Sequence, residues 1–181
     1  MRKPRKKCLE LHRTLTGGMP GLEPFLGGTL ANAAAVCLDK NRHTTGVELE
    51  VSGQYRRRIE VCWDGPTEQV RRSYADLQEA TEFGAAGVAI AALNNFAGWV
   101  VMQRSRKGTG FDYWIAKKNE RGGPLFQGYS PLEVSGILTG DDTELLRRVQ
   151  IKKVQISAAK PRQGKVAVVE FSAPKSRIVR S

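Results

Sequence analysis

The segment GFDYWIAK, residues 110–117, has the composition of a strand that is covered on both sides. Alternation places apolar or aromatic side chains on each of its faces, and Asp112 stands among them. Two-sided apolar runs are typical of central strands that lie between helices. A carboxylate there is costly unless it binds a metal ion, hydrogen-bond donors or a cation. The segment therefore predicts a helix-covered sheet and makes Asp112 a candidate functional residue.

A second carboxylate, Glu133, stands in the run PLEVSG. The basic, glycine-rich turn RSRKGTG, which contains Arg106 and Lys107, leads into the Asp112 run. If the two runs are neighbouring strands, Asp112 and Glu133 meet at one end of a sheet beside this turn. Carboxylates suit a divalent cation and basic side chains suit phosphate, so the pattern predicts a metal and phosphate site.

Each carboxylate also has a plainer interpretation. Asp112 could cap the turn by accepting hydrogen bonds from the amides of Gly108 to Gly110. Glu133 could face solvent from a half-exposed strand. The sequence leaves both interpretations open.

The charge balance favours a polyanionic partner. The 181 residues include 29 Lys and Arg against 18 Asp and Glu, which gives a net charge of +11. Nucleic acid is the simplest partner for such a field, although acidic proteins and membrane surfaces also qualify. A basic protein that is merely soluble is the alternative. The most apolar window, residues 84–101, is too short and too interrupted to span a membrane, so no membrane role is expected.

The cysteines and histidines predict no zinc site. Cys8, Cys37 and Cys62 are widely spaced and form no CxxC pair, and His12 and His43 are the two histidines. Three such thiols fit a reducing compartment, and no apolar stretch follows the basic run at the start of the chain. We therefore expect a cytoplasmic protein.

The pattern along the chain divides it into four segments. We expect a flexible basic and Gly/Pro-rich arm over residues 1–28, a helix plus β-hairpin packed on the core over 29–66, an α/β core over 67–173 and a basic tail over 174–181. The expected fold class is α/β (α+β), with a mixed central sheet and an α-β-β-β-α-β core preceded by the hairpin and a short helix. After Thr67 we expect either one long helix to Ala97 with a kink at Gly84 or Gly87, or two helices joined near Gly84.

This order of elements and the two carboxylates resemble the PD-(D/E)XK nuclease superfamily, whose core is α-β-β-β-α-β. In that family an Asp at the start of the second core strand and a Glu in the third bind Mg²⁺, and a Lys two residues after the Glu positions the attacking water. The resemblance covers about residues 67–172. It implies Asp112 and Glu133 as catalytic metal ligands and Glu79 or Glu82 as an acid contributed by the first helix. RSRKGTGFDYW and LEVSGI also resemble stretches of uncharacterised bacterial proteins.

One departure from the family concerns the lysine of the motif. Ser135 stands at its position, and a hydroxyl supplies no positive charge. Lys107 could supply that charge from the turn, since displaced lysines are a known variation of the superfamily. Otherwise the fold is kept and the chemistry is lost.

Two functions therefore stay open. The resemblance implies a Mg²⁺-dependent or Mn²⁺-dependent endonuclease of a mobile-element or defence system. The alternative is a non-catalytic module that binds nucleic acid or an acidic partner subunit, and a homo-oligomer is compatible with either. The predicted nucleic-acid contacts are Arg104, Arg106, Lys107, Arg147, Arg148, Lys152 and Lys153.

Overall fold

Strands from both ends of the described chain form one mixed β-sheet. The computed structural model describes residues 8–118, 128–158 and 163–181. Its strands are β1 (Leu9–Glu10), β2 (Val47–Gly53), β3 (Arg57–Cys62), β4 (Trp99–Arg104), β5 (Tyr113–Lys117), β6 (Ser130–Ile137), β7 (Lys165–Glu170) and β8 (Lys175–Arg180). Its helices are α1 (Leu11–Thr16), α2 (Pro24–Lys40), α3 (Glu68–Ser73), α4 (Leu77–Ala97) and α5 (Asp142–Ala158). The strand order is β1-β3-β2-β8-β7-β6-β5-β4, so the fold is mixed α+β, as the sequence predicts.

The two faces of the sheet are covered by different helices. Helices α2 and α4 pack together on one face, and α5 packs on the other against β6 and β7. Strand β6 alternates between these faces: Leu132 and Val134 join the α2/α4 core, whereas Ile137 joins the core under α5. By the same alternation, Glu133 and Ser135 point toward α5.

The predicted β-hairpin is present. Strands β2 and β3 pair antiparallel, with Leu49 opposite Ile59 and Val47 opposite Val61. Alternating apolar residues of the run VELEVSG provide the buried side, where Leu49 and Val51 are each 2% exposed.

The predicted long helix over residues 67–97 is interrupted, but not at a glycine. Helix α3 begins after Thr67, whose hydroxyl accepts from the Val70 amide as predicted. Helix α4 begins after Asp76, whose carboxylate accepts from the amides of the first turn, and it continues through Gly84. A Cβ at Gly84 would lie 3.0 Å from the Cα of Ala34 on α2. The glycine therefore permits close helix packing rather than a kink.

In the part of the chain that the structure describes, every helix is too short or too polar to span a bilayer.

The expectation of a flexible arm over residues 1–28 is wrong for residues 8–28. These residues form β1, α1 and the start of α2, and Leu9, Leu11 and Leu15 are each at most 1% exposed. The isolated leucines among glycine and proline residues are core residues, and their burial offsets the backbone entropy of ordering the segment. The basic run before Cys8 lies outside the described residues.

The expectation of a basic tail over residues 174–181 is also wrong. This segment forms β8, which lies between β7 and β2 in the middle of the sheet. Ser176 and Ile178 are both fully buried, while Lys175 and Arg177 alternate with them toward the opposite face. Strand β8 therefore joins the hairpin to the rest of the sheet.

Two of the three cysteines are not free thiols, contrary to expectation. Cys8 and Cys62 form a disulfide that ties the start of β1 to the end of β3, and Cys37 remains free and buried on α2. The cysteine pattern therefore no longer argues for a reducing compartment.

Candidate functional site

The side chains of Asp112 and Glu133 meet between neighbouring strands. Asp112 immediately precedes β5, its amide donates to the Leu132 carbonyl at 3.0 Å, and the β5–β6 register places it beside Glu133. One Asp112 carboxylate oxygen, Oδ2, accepts from the Val134 amide at 2.8 Å. The carboxyl groups of Asp112 and Glu133 also form a hydrogen bond with each other. The antiparallel pairing of β5 and β6 thus brings together two acids that are 21 positions apart in the chain (133 − 112).

Burial makes both carboxyl groups weak acids. Glu133 is 2% exposed, and desolvation, followed by the nearby Asp112 charge, raises its pKa to about 7. Desolvation also raises the pKa of Asp112, although the Val134 amide opposes the shift. The raised pKa values favour a single proton held between the two carboxyl groups, because both charges together are unfavourable in a buried site.

Helix α5 supplies the groups that face this pair. Lys152 Nζ donates to Glu133 Oε1 at 2.6 Å, and Gln155 Nε2 donates to the same oxygen at 3.0 Å. The Gln155 side-chain oxygen accepts from Lys152 Nζ at 3.0 Å, which closes a three-residue network. The two residues lie one turn apart on α5, so they present their side chains to the same point of the sheet.

Two adjoining cavities open onto the carboxyl pair. The first, of about 280 Å³, lies against α4 and is lined by Glu82, Phe83, Arg104 and Lys152 together with both acids. The second, of about 540 Å³, is bounded by the turn RSRKGTG, and both acids line it as well. Arg104 lines both cavities, and its positive charge opposes part of the rise that burial causes in the pKa of Asp112. The pair therefore lies between a helix-lined cavity and a basic wall.

Of the two helical acids that the resemblance implies, Glu82 is near the pair and Glu79 is not. Glu82 lines the first cavity from α4. Glu79 is exposed on the same helix, and its charge instead acts on Tyr74, whose pKa it helps to raise.

The two candidates for the role of the motif lysine lie on different walls. Ser135 lines the first cavity, and its hydroxyl accepts from Arg148 Nη1 at 3.2 Å. Lys107 lines the second cavity on the basic turn. In the described part of the chain, the lysine that bonds a site carboxylate is Lys152, which the sequence suggests only as a phosphate contact.

The predicted nucleic-acid contacts also divide into two groups. Arg104, Arg106 and Lys107 line the second cavity, on the open side of the carboxyl pair. On α5, Arg147 and Arg148 both pair with Glu144, at 3.4 and 3.2 Å, and Lys152 pairs with Glu133. Lys153 is a half-buried neighbour of Lys152 on this helix. The basic residues of the turn therefore share a cavity with Asp112 and Glu133, whereas the two arginines of α5 do not line that cavity.

Neither plainer interpretation of the acids describes the structure. Asp112 accepts from the Val134 amide on β6 instead of capping the turn, in which Thr109 donates to the Arg106 carbonyl at 3.3 Å. Glu133 is buried instead of facing solvent. Gln155 was not predicted, because an amide on a surface helix carries no signal of the strand that it faces.

The donor set of the pair fits a hard divalent cation. Two carboxyl groups in direct contact, with a third acid on the wall of the same cavity, offer the oxygen ligands that Mg²⁺ and Mn²⁺ prefer. A cation there would replace the shared proton and relieve the repulsion that raises the pKa of Glu133.

Comparisons with known proteins supply no further assignment. No protein-family model, no curated protein and no solved structure matches this chain.

Proposed function

We propose that this chain binds nucleic acid and cleaves phosphodiester bonds with Mg²⁺ or Mn²⁺ held by Asp112 and Glu133. The observation that carries the proposal is the buried, hydrogen-bonded pair of carboxyl groups that faces a basic cavity wall. A bound cation supplies a water of lowered pKa and neutralises charge that develops on the phosphate. Strained or costly pairs of acids in a cleft are typical of functional sites.

The arrangement of elements supports the same family resemblance as the sequence. Helix α4 is followed by β4, β5 and β6, then by α5 and β7, which is the α-β-β-β-α-β order. Asp112 immediately precedes the second strand of this series and Glu133 lies in the third. On this basis we propose a PD-(D/E)XK-like core acting in a cytoplasmic mobile-element or defence system.

Lys152 is our candidate for the work of the motif lysine. It reaches the glutamate of the motif from α5, and its Nζ lies 2.6 Å from Glu133 Oε1. An ammonium group in this position can hold an attacking water beside the carboxylates and stabilise negative charge. Lys107, on the opposite wall with Arg104 and Arg106, is better placed to contact substrate phosphates.

A second function is favoured by the hydrogen bonds that both carboxyl groups already accept from the protein. Glu133 Oε1 has donors from Lys152 and Gln155, and Asp112 Oδ2 has the Val134 amide. A network satisfied in this way is also what a non-catalytic module would keep as a rigid structural element. Such a module would use the same basic surface to bind nucleic acid or an acidic partner subunit without cleaving.

Cleavage assays separate the two functions. Plasmid, single-stranded DNA and RNA are incubated with the full chain in Mg²⁺, in Mn²⁺ and in EDTA. We expect metal-dependent cleavage that Asp112→Asn and Glu133→Gln each slow by about a hundredfold or more, because each removes a ligand charge. Lys152→Met should lower the rate at saturating substrate, whereas the matched variant Lys153→Met, at the neighbouring position, should change only affinity and its salt dependence.

Two results would overturn parts of this proposal. If the wild-type chain binds these nucleic acids but cleaves none of them in either metal, the non-catalytic function replaces the enzyme. If cleavage persists unchanged in both carboxyl variants, the reaction takes place elsewhere on the chain.

A further inference from the structure

A second cluster of metal-ligating side chains lies at the opposite edge of the sheet from the Asp112 strand. Strands β1 and β3 pair parallel there, with Glu10 opposite Cys62. Cys8 stands two positions before Glu10, and side chains two apart in an extended chain point to the same face. One oxygen of Glu10 and the sulfurs of Cys8 and Cys62 all lie within 4.8 Å of one another.

The register explains why these three groups converge. The Cys8 sulfur also lies 3.4 Å from the Glu60 carbonyl, two residues before Cys62 on β3. Cys8 and Cys62 are therefore diagonal neighbours on a strand pair, with Cα atoms 6.0 Å apart, and Glu10 lies directly beside Cys62. The pairing of β1 with β3, together with the burial of Leu9, positions Cys8 and Glu10 beside Cys62.

We propose that reduction of the Cys8–Cys62 disulfide creates a Zn²⁺ site formed by Cys8, Cys62 and Glu10. Two thiolates and a carboxylate are a ligand set that zinc takes in tetrahedral geometry, with bonds of about 2.3 Å to sulfur and about 2.0–2.2 Å to oxygen. Tetrahedral bonds of this length place two sulfurs about 3.8 Å apart. Side-chain rotation alone can open the sulfurs to that distance, given the Cα separation of 6.0 Å.

The cluster is accessible to solvent and to ions. A cavity of about 600 Å³ adjoins the cluster and is lined by Cys8, Glu10, Arg13, Asn94 and Lys118, among other residues. Glu10 is exposed and both cysteines are partly exposed, so solvent and ions reach the donors. Three protein ligands leave the fourth tetrahedral position to water or to a ligand in this cavity.

The two states of the site exclude each other because they use the same sulfur atoms. Two equivalents of a small thiol reduce the disulfide: one thiolate attacks a sulfur, a mixed disulfide forms, and the second thiol releases it as an external disulfide. The products are two cysteine thiols, each of which loses its proton when zinc binds. Zinc would thus bind to this cluster only in the reduced chain, with the release of two protons.

Cys37 provides a matched control. It is fully buried on α2, and burial raises the pKa of its thiol to about 11, so it is a poor metal ligand at neutral pH. Cys37→Ser therefore removes a thiol without touching the cluster.

Titration with Co²⁺ and Zn²⁺ tests the proposal on the full chain. Two samples are prepared: one is oxidised, and the other is reduced with a phosphine that is then removed. Counting the thiols of each sample in denaturant confirms its redox state. Co²⁺ bound by thiolate gives a sulfur-to-metal charge-transfer band, which carboxylate sites such as Asp112 and Glu133 do not give. We expect about one Zn²⁺-displaceable Co²⁺ per reduced chain with this band, and no band for the oxidised chain.

The variants decide which residues bind. Cys8→Ser and Cys62→Ser should each abolish the band, Glu10→Gln should weaken affinity by about tenfold or more, and Cys37→Ser should leave the titration unchanged. Circular dichroism checks that each variant is folded, and the comparison of oxidised with reduced wild type requires no variant. A reduced chain without the band, or an undiminished band in Cys8→Ser, would overturn the proposal. None of these measurements depends on nuclease activity.

Discussion

Replacing Glu133 by glutamine should remove much of the pH dependence of stability near neutrality. Desolvation raises the pKa of Glu133 to about 7, from an ordinary value of 4.5. The folded chain therefore holds a proton that the unfolded chain releases between these two pH values. The stability due to that proton is fully present below pH 4.5 and is lost as the pH rises through about 7.

The expected loss follows from the two pKa values. Proton linkage gives a decrease in the free energy of unfolding of about 2 kcal/mol between pH 5 and pH 8. Little of this is screened by solvent, because the Glu133 side chain is 3% exposed. The raised pKa of Asp112 contributes a further decrease of the same sign. A glutamine side chain cannot titrate, so the stability of the Glu133→Gln variant should lack this decrease. The free energy of unfolding of the variant minus that of wild type should therefore increase between pH 5 and pH 8.

Urea unfolding from pH 5 to pH 8 measures this difference. Both proteins are studied in EDTA and in one fixed redox condition, so that neither metal binding nor the Cys8–Cys62 disulfide changes during the series. Glu68→Gln is the control, because Glu68 forms an exposed pair with Arg72 and should shift stability by less than about 0.5 kcal/mol at every pH. Parallel curves for wild type and Glu133→Gln, or a difference of opposite sign, would refute the assignment of a buried, proton-sharing pair.

Two further substitutions test the packing and the charges of the fold. Gly136→Ala should lower the free energy of unfolding by about 2 kcal/mol, because the new Cβ would lie 2.4 Å from the Thr81 carbonyl oxygen on α4. Gly65→Ala, where a Cβ meets no atom within 4 Å, is its control in urea unfolding, and equal stability of the two variants would contradict the close approach of β6 and α4. Lys165 is 6% exposed, and burial, followed by the charges of Arg180 and Lys117, lowers its pKa to about 8 from 10.5. The neutral form of Lys165 contributes stability that is present above pH 10.5 and is lost as the pH falls through about 8. Between pH 10 and pH 7, the free energy of unfolding of wild type should therefore fall by about 2 kcal/mol relative to that of Lys165→Met. Urea unfolding of the control variant Lys40→Met, at an exposed lysine, should show no such change relative to wild type. A stability difference between Lys165→Met and wild type that stays constant with pH would contradict the burial of the ammonium group.

Local pattern was sufficient to predict the hairpin and the two strands beside which the acids meet. The alternation in VELEVSG matches β2 residue for residue, and the apolar runs around Asp112 and Glu133 became β5 and β6. Alternation is a property of one strand and its two faces, so it can be read without knowing the partner. It also indicated that a carboxylate within such a run needs a specific partner.

The same pattern was insufficient for segments whose order depends on distant partners. Residues 8–16 and the C-terminal strand β8 look like basic or glycine-rich termini, yet they are held by the core and by pairing with β2, β3 and β7. Strand β8 has only two fully buried side chains, Ser176 and Ile178, so its own composition is that of a surface segment. Its place in the middle of the sheet is decided by the backbone pairing that the neighbouring strands offer.

The sequence by itself determined the class of fold and the basic charge, and it singled out Asp112 and Glu133 as candidate functional residues. Only the tertiary structure decided what surrounds them. Lys152 and Gln155 bond Glu133 from 19 and 22 positions away, and Cys8 joins Cys62 across 54 positions. Such partners are chosen by which face of α5 lies on β6 and by which strand pairs with β1. The docking of these elements depends on the burial of whole apolar faces, which no local spacing of polar residues records.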